Sequence, residues 1–176
     1  MYRVVVCFLF ALILTPGSIA LSDEEKSKSL LVSLYWEQLK SIEKFAILHL
    51  DTEGSAEKIG VKQDELQDYL RLRFKNSFSR IESKPDKGLM ESFDKLDFDK
   101  AIKYGTILIR VWTVGEDDHV SYHIQLLAGN LVDRKLYDNE VLGFDSKKNM
   151  PNVVRNTISD LVDEFAIFFF KNRNEL

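Results

Sequence analysis

The chain is poor in cysteine, glycine and proline: its 176 residues include one Cys, eight Gly and three Pro. The lone thiol, Cys7, cannot close a disulfide within the chain, and it excludes sites built from several thiolates. The glycines nowhere gather into a loop that could cradle phosphate, and there is no Gly-x-Ser-x-Gly elbow and no His-Glu-x-x-His pair. Positive charge is not in excess either, with 24 Lys and Arg against 28 Asp and Glu and a formal net charge of −4. An acidic, well-mixed surface argues against nucleic acid and against anionic membrane as partners. Long apolar runs are confined to the start of the chain, so no later segment reaches the roughly 20 residues a spanning helix needs.

That start has its own pattern. Met1-Tyr2-Arg3 is weakly basic, Val4 to Thr15 is apolar, Pro16-Gly17 breaks the run, and Ser18-Ile19-Ala20 supplies small residues. This is the layout of a secretory signal peptide, with an uncleaved anchor as the alternative. Residues 1–20 are therefore expected to be a cleaved signal and 21–176 a single domain, exported to a periplasm or the exterior, with a bacterial envelope favoured. Cys7 would leave with the signal, and the domain would rely on its core alone.

Ser22 to Glu25 reads as a capping box, followed by Leu30, Leu31, Leu34, Tyr35, Leu39 and Ile42 at helical spacing, which predicts a helix over about 23–43. Phe45 to Leu50 is a strand-length apolar run, closed by the loop signal Asp51 to Ser55. Leu66, Tyr69, Leu70, Phe74 and Phe78 mark a second amphipathic helix over 62–78, acidic in its first turn and basic in its last. Residues 79–104 suit either one short helix or an ordered loop.

Gly105 to Leu136 is the organising stretch. Alternating apolar residues on both sides of Gly115-Glu-Asp-Asp118 predict an antiparallel hairpin. Gly129 suggests a bulge or bend, Leu131-Val132 resumes the strand, Tyr137 to Glu140 reads as a turn, and Val141 to Phe144 as a third short strand. Asn149 and Pro151 open a last helix whose Phe165 to Phe170 end is apolar nearly all round, as if it met neighbours on two sides.

The order α-β-α-β-β-β-α predicts an α+β fold: a two-layer sandwich with a mixed four-stranded sheet and helices on one face. The amino-terminal helix is available to cover the other. That other face would carry Leu108, Arg110, Trp112, His123 and Gln125, too apolar for free solvation and too polar for a core. These five form the candidate interaction face.

The run Gln63-Asp-Glu-Leu-Gln-Asp-Tyr-Leu-Arg-Leu-Arg-Phe74 after a short strand, and the final helix ending Phe165 to Asn172, resemble a loose group of uncharacterised exported bacterial proteins. The order of elements from Phe45 to Asn172 is also similar to small periplasmic accessory domains of envelope assembly or transport systems. The resemblance implies an accessory role and supplies no activity and no functional residues.

Three functions follow for comparison. The first is a non-catalytic envelope module that binds a protein partner or itself, since Trp and Arg are favoured interface residues. The second is a carrier of a small apolar ligand between sheet and helices, for which the twelve Phe are the motive. The third is an enzyme, metal-dependent or otherwise, without a recognisable motif. No cofactor, catalytic residue or metal ligand is assigned: His119 beside Glu116-Asp117-Asp118 and His123 could attract a cation, but an acidic hairpin turn is ordinarily just solvated, and nothing else converges on the two. His49 reads as a strand histidine with a local hydrogen-bond partner.

Overall fold

The computed structural model describes residues 36–83 and 97–176. The signal segment 1–20, the capping box and most of the first predicted helix lie outside these residues. The end of that helix is present as residues 36–40, here α1. It is followed by β1 (Lys44–Gly54), a 3₁₀ turn (Glu57–Ile59), α2 (Gln63–Ser77), β2 (Glu82–Ser83), α3 (Phe98–Ala101), β3 (Tyr104–Val114), β4 (His119–Asn130), β5 (Tyr137–Ser146) and α4 (Met150–Asn172).

The sheet order is β2-β1-β3-β4-β5. β1 runs parallel to β2 and β3, and β3, β4 and β5 form an antiparallel meander. This is the expected α+β sandwich with a mixed sheet, to which the two-residue β2 adds a short edge.

Alternation decides the faces. Ile107, Ile109 and Val111 of β3 and Val120, Ile124 and Leu126 of β4 are buried, and they share one core with Leu66, Leu70 and Phe74 of α2 and Val154, Ile158, Leu161 and Phe165 of α4. Both long helices therefore cover the same face. Arg73 of α2 ties them together by donating from Nε and Nη2 to the Asp163 carboxylate of α4, which also accepts from Ser77. At the centre Phe45, Phe74, Phe78, Phe165 and Phe169 meet ring to ring, most pairs tilted or edge-on, the arrangement the aromatic quadrupole favours. Gly105 is required here, because a Cβ would lie 2.5 Å from the Phe45 ring.

Several boundaries differ from expectation. β1 continues through the predicted loop 51–55 as far as Gly54, because the parallel ladder with β3 extends to the Gly54–Thr113 pair. β4 stops at Asn130 rather than resuming at Leu131-Val132, and β5 begins at Tyr137, so Tyr137 to Glu140 is strand and not turn. The cause is Asn130. Its side-chain Oδ1 accepts from the Val132 and Asp133 amides and turns the chain at once. The reversal folds directly over Gly129, where a Cβ would lie 2.1 Å from the Asp133 carbonyl oxygen. The glycine thus marks a close approach of backbone instead of a bulge.

α4 meets neighbours on two sides, as its apolar end implied. One side faces the sheet, where Phe165 contacts Tyr137, and Phe168 lies between Tyr137 and the second neighbour. The other receives α1: Trp36 lies 4.9 Å from Phe168, Leu39 and Ile42 join the core, and Arg173 donates to the carbonyls of Lys40 and Ile42. The described end of the amino-terminal helix therefore sits with α4, on the covered side of the sheet, and not on the open face. Asn149 stands at the N-cap of α4 with Pro151 in the first turn, yet its amide donates to Asp145 rather than capping the helix. Asp145 also accepts from the Ser146 amide, and these bonds, the backbone one foremost, hold its carboxyl below the usual range.

Beyond β2 the outer edge of β1 is guarded by a side chain. The Leu50 amide donates to Gln67 Oε1 at 2.9 Å, and Gln67 Nε2 donates to the Leu48 carbonyl at 3.1 Å, so the carboxamide stands in for a neighbouring strand. An unguarded edge is a template for pairing with another chain. Gln67→Ala is expected to cost about 1–2 kcal/mol, from the lost bonds. It should also make the protein self-associate as concentration rises. Denaturant melts and gel filtration across a concentration series check both, with Gln63→Ala, whose one side-chain hydrogen bond among the described residues is from the Thr52 hydroxyl at 3.3 Å, as the silent comparison.

Candidate functional site

The face opposite α2 and α4 is built by the odd-numbered residues of β1 beyond its bulge and of β4, and by the even-numbered residues of β3 and β5. The register sets them in rows. Across β1, β3, β4 and β5 the rows read His49-Leu108-Leu127-Asp138, then Asp51-Arg110-Gln125-Glu140, then Glu53-Trp112-His123-Leu142. A last row holds Val114, Ser121 and Phe144.

All five residues of the predicted interaction face lie here. Arg110 is paired with Gln125 and Trp112 with His123 in register, while Leu108 lies beside Leu127. The Trp112 and His123 rings are stacked, 5.1 Å apart and 8° from parallel. Trp112 Nε1 donates to Glu53, and His123 Nε2 lies 3.0 Å from Glu140 Oε2. Gln125 donates to Asp138 at 2.9 Å. The face is thus an ordered array of side chains locked across strands, which lowers the entropy a partner would otherwise have to remove.

Sequence reasoning missed its apolar corner. Val114, Leu142 and Phe144 are 73%, 74% and 77% exposed, the last two within the short strand 141–144 that the sequence predicts, which has too few residues to fix its face. The period-two alternation from Tyr137 to Ser146 was the available signal. Glu53 was missed because it fell in the predicted loop. At the opposite end of the face Ala46, Ile47, Tyr104, Ala101 and Leu131 form a small cluster of their own, where α3 closes the end of the sheet.

His49 does have a local partner, with Nε2 2.9 Å from Asp51 Oδ1. His119 and His123 do not converge with carboxylates as ligands would, and among the described residues no group of three His, Cys, Asp or Glu is placed to hold a metal. Lys135 pairs with Asp138 at 2.9 Å, and that hydrogen bond holds the ammonium above its usual range.

A cavity of about 1060 Å³ lies beside β1, reached from both layers. Ile47, His49, Leu108 and Leu127 line it from the open face, Phe78 and Ile81 from the core side, and Arg71, Lys75 and Arg134 add positive charge. Of the core phenylalanines described above only Phe78 reaches it; Phe45, Phe74, Phe165 and Phe169 pack in the core instead. Among the described residues no helix is long and apolar enough to cross a membrane. Comparison with family models, curated proteins and solved structures finds no match to this chain.

Proposed function

We propose that this chain is an exported, non-catalytic accessory module of a cell envelope that engages a protein partner through its open sheet face. One observation carries the reading. An ordered array centred on Trp112 and Arg110 ends in an apolar corner, Val114, Leu142 and Phe144, that α2 and α4 leave uncovered. Scattered single apolar residues are normal on a surface, whereas contiguous ones around an aromatic anchor mark contact sites. The signal-like pattern of the first twenty residues supports the compartment.

The test is photo-crosslinking in the cells that make the protein. A crosslinker at Leu142 or Phe144 is expected to capture one and the same envelope protein, and one at Asp68 on the solvent side of α2 is expected not to. Combining Trp112→Ala with Arg110→Ala should reduce capture tenfold or more while the fold is kept, the lost His123 stack and Glu53 bond lowering the melting temperature by only a few degrees. Equal capture from Asp68, or none from either corner position, overturns the assignment.

The cavity favours a second reading, carriage of a small ligand, because 1060 Å³ matches the upper end of ligand-site volumes. Native mass spectrometry of the protein from its own compartment decides this: a stoichiometric bound molecule supports carriage, and bare protein removes it.

A further inference from the structure

The chemistry of the partner can be read from the charges on the same face. The outer strands carry its carboxylates, Asp51 and Glu53 on β1 and Asp138 and Glu140 on β5. On the central strands the apolar Leu108, Trp112 and Leu127 alternate with Arg110, Gln125 and His123. Three inter-strand spacings separate the two acidic margins, roughly 14 Å.

Most of this negative charge is not cancelled. Asp51 bonds His49, Glu53 bonds Trp112, and Glu140 bonds His123, partners that carry no charge when the imidazoles are neutral. Among the described residues Lys135 is the one Lys or Arg ion-paired to these carboxylates, bonding Asp138 and also facing Glu140. Arg110, in register with Asp51 and Gln125, is the one guanidinium on the four strands of the face, and Arg134 stands at its Leu108–Leu127 end beside the cavity.

We propose that the open face receives a cationic amphipathic helix from the partner protein, its apolar stripe on Leu108, Trp112 and Leu127 and its Lys or Arg flanks on the two acidic margins. An α-helix is about 10–12 Å across with its side chains, which fits between margins that far apart. A second copy of this chain would bring the same four carboxylates against these four, and an anionic lipid surface would be repelled likewise. The proposal rests on the interaction-face reading above and adds the sign and shape of what binds.

The experiment uses the full-length protein carrying Trp36→Phe, which leaves Trp112 as the only tryptophan. The probe is a synthetic 18-residue Leu/Lys amphipathic helix, with a Leu/Glu helix of the same pattern as its opposite. Saturable blue-shift of Trp112 emission with the Leu/Lys helix alone is expected. Glu53→Gln, Asp138→Asn and Glu140→Gln together should weaken it at least tenfold, whereas Asp64→Asn, Asp68→Asn and Glu164→Gln together, an equal charge change on the helical side, should leave it within twofold.

Equal weakening by both triple variants would mean attraction to net charge alone and would overturn the proposal. So would saturable binding of the Leu/Glu helix, or a face-to-face dimer by sedimentation that Leu142→Asp dissolves. Crosslinking from Leu142 keeps the two readings apart: capture of a partner without Leu/Lys binding sinks the cationic helix and leaves the interaction face standing, while failure of the crosslink removes both.

Discussion

Phe45→Ala is expected to cost about 3–5 kcal/mol, the range for deleting a large aromatic from a packed core. Phe45 is only 1% exposed, and its ring touches Phe74, Phe78, Phe165 and Phe169 at centroid distances of 5.1 to 6.2 Å. It joins β1, α2 and α4, so the cavity left behind is walled by three elements that cannot all collapse into it. Gly105 shows how closely the ring is held from below, since the absent Cβ is what gives it room. A domain of this size has a total stability of about 5–15 kcal/mol, so the variant should lie near the edge of unfolding. With a urea slope of about 2 kcal/mol/M the midpoint should fall by about 1.5–2.5 M. Phe144→Ala is the comparison. It removes the same group from a side chain 77% exposed and should change stability by no more than about 0.5 kcal/mol. A small effect at Phe45, or an equal one at Phe144, would mean that the ring cluster does not organise the core.

What could be read in the sequence was what repeats locally. The hairpin faces of β3 and β4 follow from alternation alone, so Leu108, Arg110, Trp112, His123 and Gln125 could be set on one surface without knowing what lies across from them. α2 and α4 were equally plain, because their apolar spacing runs for several turns. The features that escaped depend on distant partners. β1 extends past Leu50 only because β3 continues beside it, and Asp51, Thr52 and Glu53 have turn-like composition in strand geometry. Gln67 looks like one more polar residue on a solvated helix, and its role as a strand surrogate exists only once α2 lies against the β1 edge. The apolar end of α4 announced two neighbours but could not name α1 as the second. The start of β5 is hidden by Tyr-Asp-Asn-Glu, which leaves only Val141 to Phe144 legible as strand, too short a run to assign Leu142 and Phe144, the most exposed part of the candidate site, to a face.

That last error points to a second large effect, at Asn130. The side chain is fully buried, yet it is polar and makes three hydrogen bonds: Oδ1 accepts from Val132 at 2.9 Å and Asp133 at 2.7 Å, and Nδ2 donates to Gln38 Oε1 at 3.2 Å. Asn130→Ala would leave two turn amides and the Gln38 carbonyl without these partners. Stranded polar groups cost about 1–3 kcal/mol each when water cannot reach them. Val132 is 47% exposed, so water recovers part of the loss there, and a net cost of about 2–3 kcal/mol is expected. Two further variants separate the roles. Gln38→Ala removes only the bond to α1 and should cost about 1 kcal/mol, while Asn130→Asp keeps both acceptor bonds and should fall between the two. Amide exchange gives the decisive reading. Val132 and Asp133 should exchange much faster in Asn130→Ala and unchanged in Gln38→Ala. The turn delivers β5 to its register on β4, and that register sets Leu142 beside His123 and Phe144 beside Ser121. Crosslinking from Leu142 should therefore weaken in Asn130→Ala although the substitution lies far along β4 from the corner it disturbs. Unchanged exchange at Val132 and Asp133 would mean that the apolar alternation of β5, and not the asparagine, places that strand.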